Sequence, residues 1–124
     1  MRGEPQAGGN APLCPMTRLT ASFWVAAYRK RLDLYGIPCM VVRHGDDTSG
    51  AVLVKLNTLD GQARVYQRSF DLTTGDRAWI VLAEGADRDC DAACAKQASF
   101  DPDLWVLEVE DRAGRHLLDE DGLT

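Results

Sequence analysis

Five carboxylates fall within eleven residues, Asp101 to Asp111, inside the stretch FDPDLWVLEVEDRAGRH (Phe100 to His116). Acidic side chains this dense can hold a divalent cation between paired oxygens or share protons as general acid and base. On a strand from Leu104 to Glu110, alternation puts Trp105, Leu107 and Val109 on one face and Leu104, Val106, Glu108 and Glu110 on the other. Glu108 and Glu110 are then about 7 Å apart along the strand, a separation that a bridging cation can span. With Asp101 and Asp103 they form the candidate set of a metal-assisted hydrolase. A structural role fits the same residues. Pro102 ends a helix, Asp101 and Asp103 bond to nearby backbone amides, and Glu108 and Glu110 lie on a solvated sheet face beside Arg64, Arg68 or Arg115. A β-hairpin, with DRAG as its turn and RHLLD pairing back, is the expectation for this stretch.

Other residues that could do chemistry are sparse. Pro-Asp followed by a Glu-x-Glu strand is similar to the PD…ExK pattern of metal-dependent nucleases, but Glu110 stands where that pattern has lysine. Lys55 could replace it only by approaching in space. A net charge of −5 also opposes a nuclease, which needs a basic floor for phosphates, and gives no expectation of nucleic-acid binding. Cys90 and Cys94 share a helix face at i, i+4 and could bind zinc with Asp91 or His116. Zinc-binding sequences carry two ligand pairs, however, and only one is present, so buried thiols are expected. His44 and His116 each flank a turn. No serine or cysteine sits in a nucleophile elbow, and GDDTSG lacks the lysine and following helix of a phosphate loop. No metal, cofactor or catalytic set is therefore assigned.

The elements that must position these groups begin with a helix in MTRLTASFWVAAYRKRLDLYG, capped by Thr20 and closed by Gly36, with Pro38 beyond it. At 100° per residue, Ala21, Trp24, Val25, Tyr28, Leu32 and Tyr35 share one face. Arg31 falls inside that apolar arc. Either its stem packs on the rings, or Trp24, Tyr28, Arg31 and Tyr35 form a candidate binding patch. Strands follow in CMVVRH, AVLVKLN (Val52, Val54 and Leu56 on one face), QARVYQRSF and RAWIVLA, then a helix in GADRDCDAACAKQASF with Asp87 or Asp89 near its start, then DLWVLEVED. The first four strands read as an antiparallel meander. The fold class expected is α+β: a single domain with a largely antiparallel sheet of five to six strands, covered on one face by two helices.

The chain has 124 residues, 45% hydrophobic and 27% charged, enough for one domain with its own core. Residues 1–15 read as a disordered Gly/Pro-rich extension, 16–119 as the domain and 120–124 as a frayed tail. With no run long enough to span a membrane and no signal-peptide apolar core, a cytoplasmic protein with reduced cysteines is expected. Three blocks in order, LTASFWVAAYRKR, GAVLVKLNTLDG and FDPDLWVLEVEDRAGRH, resemble the bacterial domain-of-unknown-function family 1491 over residues 16–119. The resemblance implies a stand-alone bacterial domain starting near Met16 and carries no catalytic residues. The function expected is a small noncatalytic protein-interaction module, binding a protein partner or a second copy through a sheet edge. The alternative is the hydrolase or nuclease-like enzyme built on Asp101, Asp103, Glu108 and Glu110.

Overall fold

The computed structural model describes residues 20–70 and 77–119. The expectations for residues 1–15, a start at Met16, the turn DLTTGD and the tail 120–124 lie outside the described residues.

Helix α1 (Ala21–Leu34) begins and ends where its capping residues dictate. The Thr20 side chain accepts from the Phe23 amide at 3.3 Å, and Gly36, at φ 70°, makes the left-handed turn that releases the chain. Two of its first amides are satisfied from outside, Ala21 by the Thr48 carbonyl and Ser22 by that of Asp47. Strands β1 (Cys39–Arg43), β2 (Val52–Asn57), β3 (Gln62–Phe70) and β4 (Arg77–Ala86) follow, then helix α2 (Asp87–Phe100) and strand β5 (Trp105–Glu110). The result is a single α+β domain.

Its five-stranded sheet runs β1-β5-β2-β3-β4. Pairing is antiparallel except between β2 and β5. Only β2, β3 and β4 form a meander, because β5 inserts between β1 and β2. The cause is apolar on both sides of the strand. Trp105, Leu107 and Val109 are buried on one face and Val106 on the other, with Leu104 just before it, and a strand covered on both faces belongs in the middle of a sheet. The expected return strand at RHLLD is absent; Gly114 (φ 76°) and Leu117 (φ 59°) bend that segment so that Leu118 enters the core. The acidic stretch is therefore a central strand and not a hairpin.

The helices also depart from expectation, lying on opposite faces of the sheet. α1 packs on Val52, Val54, Leu56, Tyr66, Trp105, Leu107 and Val109. Cys90 and Cys94 of α2 pack on Leu53, Ala63, Val65, Leu104 and Val106. In β2 both alternating sets are buried, and no arrangement with both helices on one face could bury both. The α1 face is filled further by residues 116–118. The Tyr28 hydroxyl donates to the His116 carbonyl at 2.7 Å, and the His116 ring lies 4.6 Å from that of Tyr66.

The loop 44–50 ties α1 to the start of β5. The Asp46 carboxylate accepts from the Thr48 and Ser49 amides, and its carbonyl accepts from Trp105 Nε1 at 2.8 Å. Its amide donates to the Asp103 carbonyl. Gly45 and Gly50 are required by the close approach: a Cβ on either would lie within 2.4 Å of the Asp103 carbonyl oxygen.

Candidate functional site

Strand β2 carries one charged residue among apolar ones. Lys55 points to the α2 face and is 2% exposed. A buried ammonium needs partners, and two elements supply them. In α2, Asp87 and Asp91 are four residues apart and so share a face. In β5, the parallel register sets Glu108 directly beside Lys55. The ammonium pairs with Asp87, with Asp91 at 2.6 Å and with Glu108 at 3.5 Å. Asn57 also donates to Glu108 at 3.2 Å. Burial alone would lower the lysine pKa, but the Asp87 and Asp91 hydrogen bonds and the Glu108 charge reverse this and raise it well above the usual lysine value. Lys55 therefore stays charged at neutral pH and is a poor base or nucleophile.

This cluster forms one wall of a groove of about 660 Å³. The α2 side is small and smooth (Cys94, Ala95, Ala98, Ser99), β5 supplies the floor with Val106 and Glu108, and β1 closes the far side with Val42 and Arg43. The groove exists because α2 lies mainly over β2, β3 and β4, reaches Val106 of β5 through Cys90 and Cys94, and among the described residues leaves β1 uncovered on this face. Val42 is exposed there.

Of the four carboxylates in the candidate hydrolase set, only Glu108 reaches the groove. Asp101 caps the end of α2, its carboxylate accepting from the Asp103 amide at 3.0 Å, and Asp103 is exposed. Asp103 lies in the turn before β5 and Glu108 is the fourth residue of that strand, so the four carboxylates do not form one cluster. Glu108 meets a lysine, where arginines had been expected. Lys55 does approach the Glu-x-Glu strand, as the nuclease pattern would need, but Asp87 and Asp91 hold it. Among the described residues no group of three or more His, Cys, Asp or Glu side chains is placed to hold a metal ion.

The aromatic patch is divided. Trp24 and Tyr28 stack at 4.9 Å and are buried in the core, Arg31 is half-buried and Tyr35 is exposed. Burial pushes the Cys39 and Cys94 thiols up to about 11 and raises Cys90 too, which leaves them protonated and unreactive at neutral pH. His44 contacts Asp47 at 2.8 Å and lies against Trp105. The sequence signal for Lys55 was its place between Val54 and Leu56, a charge where both faces of the strand are apolar.

Fold and groove together define a small α+β domain with one helix on each face of a mixed sheet and part of one face left open. The chain belongs to the DUF1491 family, described as a protein of unknown function, whose profile matches residues 19–119. A crystal structure of a DUF1491 family protein from Caulobacter crescentus CB15 is 40% identical, covers 83% of this chain and 97% of that one, and has a TM-score of 0.76. An NMR structure of a DUF1491 family protein from the same organism is also 40% identical, covers 84% and 96% of the two chains, and has a TM-score of 0.73. The solution structure of protein Atu0922 from A. tumefaciens, at 24% identity, 76% and 86% coverage and a TM-score of 0.65, is similar in fold. No curated protein matches the chain. No helix among the described residues is long and apolar enough to cross a membrane.

Proposed function

We propose that the protein is a noncatalytic protein-interaction module of the bacterial cytoplasm, and that its recognition surface is the groove between α2 and β1. The partly covered sheet face carries this reading. Among the described residues one face is filled by α1 and residues 116–118, whereas α2 is the one element packed on the other, where Val42 is left exposed at the groove. Exposed apolar surface bordering a groove is characteristic of contact sites. A face also suits a partner better than an edge does. The edge strands β1 and β4 each carry a register shift, at Val42 and Leu82, and bulges blunt edge-to-edge pairing. The free thiols fit a reducing compartment, and the acidic net charge disfavours nucleic acid.

The test is site-specific photo-crosslinking in the native host from position 98, in the groove, and from position 22, on the surface of α1. The partner crosslinked from position 98 is identified, purified and titrated calorimetrically against the parent and against Ala98→Arg. The expected result is an adduct specific to position 98 and at least tenfold weaker binding by the variant. Thermal melts test the enzyme alternative. A Mg²⁺- or Mn²⁺-dependent rise in the parent's melting temperature, absent from the Glu108→Gln/Glu110→Gln variant, would overturn the noncatalytic reading.

A further inference from the structure

We infer that the occupant of the groove is an amphipathic helix of a partner protein, carrying a lysine or arginine beside its apolar stripe. The inference rests on the interaction-module reading and adds the chemistry of the partner. Width comes first. Neighbouring strands are about 4.8 Å apart, so β5 and β1 lie one and two strand spacings, about 5 and 10 Å, beyond β2, the last strand under α2. Packed helices sit about 8–10 Å apart, so one helix fits beside α2. The α2 wall suits this neighbour, because Ala95, Ala98 and Ser99 allow close approach while Val42, exposed beside the buried Val106, offers apolar contact. An extended strand added to β1 would meet the bulge at Val42.

Charge selects the flanking residue. At one end of the groove Asp91 and Glu108, with Asp87 behind them, surround the Lys55 ammonium, so that cluster carries an excess of two negative charges. Asp91 is 60% exposed and can turn toward a ligand. At the other end Arg43, half-buried, donates to the Pro102 carbonyl at 3.1 Å. The helix therefore places its basic residue at the Asp91–Glu108 end, away from the like charge of Arg43.

Selection of displayed helical peptides on the full-length protein tests this. The peptides share a fixed apolar stripe and are randomised at the flanking positions. Selected peptides are then titrated, together with copies in which Lys or Arg is replaced by Gln or Glu. The expected outcome is enrichment of one basic position, with about tenfold loss on Gln replacement and a larger loss on Glu replacement. Asp91→Asn should shrink the Gln effect to about twofold, as high salt should. Ala98→Arg and Val42→Glu should each weaken binding at least tenfold; Val42 is 61% exposed, so its variant keeps the fold. Selected helices with no basic preference would overturn the inference and leave the groove reading standing. If Val42→Glu and Ala98→Arg left every selected peptide and the crosslinked partner unaffected, both would fall.

Discussion

Lys55 shows how one side chain can join three elements. Asp87 and Asp91 belong to α2, Glu108 to β5 and the lysine to β2, so the cluster fixes the helix over the sheet. Removing the cation strands three carboxylates. Breaking a fully buried pair costs about 3–5 kcal/mol, but Asp87 and Asp91 are 40% and 60% exposed and can turn to water. Lys55→Met is therefore expected to cost less, about 1–3 kcal/mol, and Asp91→Asn about 0–1 kcal/mol, as for a surface pair. Urea titration of both variants measures the difference. Because the folded lysine pKa is raised, its contribution is complete below the ordinary value of 10.5 and is lost only as pH rises through the higher folded value. His116 behaves oppositely. Burial lowers its pKa, helped by Arg64 and opposed by Asp119, and its Nδ1 accepts from the Leu118 amide at 3.0 Å. The unfolded chain takes up a proton as pH falls below the ordinary 6.5 while the folded one resists, so stability declines in the window beneath that value. The melting temperature should fall between pH 7.5 and 5.5 by more in the parent than in His116→Gln, and an equal fall would refute the assignment. The sequence flags Lys55 as a charge within an apolar strand, but the lysine's partners and the histidine's burial are not visible in it, because they are set by elements distant along the chain.

The loop 44–50 shows the limit of sequence reading for an element. GDDTSG is plainly a turn, yet its glycines answer to the backbone at Asp103, just before β5 and more than fifty residues on. Gly45→Ala would put a methyl 2.2 Å from the Asp103 oxygen, and Gly50→Ala would do so at 2.4 Å. Each should destabilise by about 1–3 kcal/mol, the cost of overpacking a closed site, whereas a glycine needed only for flexibility would cost less; thermal melts distinguish the two. Trp105, 3% exposed and bonded to the Asp46 carbonyl, should cost about 3–5 kcal/mol when replaced by alanine. A loss under about 1 kcal/mol would contradict that burial. Local signals were fully legible: Thr20 and Gly36 mark the ends of α1, and alternation puts Val52, Val54 and Leu56 on one face and Trp105, Leu107 and Val109 on another. The placement of α2 was not, because its short apolar stripe of Cys90 and Cys94 fits either side of a sheet. The burial of both alternating sets in β2 is what requires cover on both faces.

For the whole molecule, the α+β class follows from the order of elements, but the strand order does not, since a strand's nearest neighbour in sequence need not be its neighbour in the sheet. β5 is the last strand in the chain and the second in the sheet, between β1 and β2. Its insertion also creates the groove, because it carries β1 outward beyond the reach of α2. This topology has a consequence for synthesis. On the ribosome, β1 and β2 emerge with no register available between them, and among the described strands β1 finds its partner, β5, after the other strands have been made. The half-built sheet must wait with apolar surface uncovered, a state open to chaperones and prone to aggregation. A chain ending at residue 103 should accordingly fail to fold and be cleared by proteolysis, as pulse-chase labelling would reveal. Refolding of the complete chain should be slowed more by lesions in β5 than by equally destabilising lesions in the local β3–β4 hairpin, because long-range pairing limits the rate.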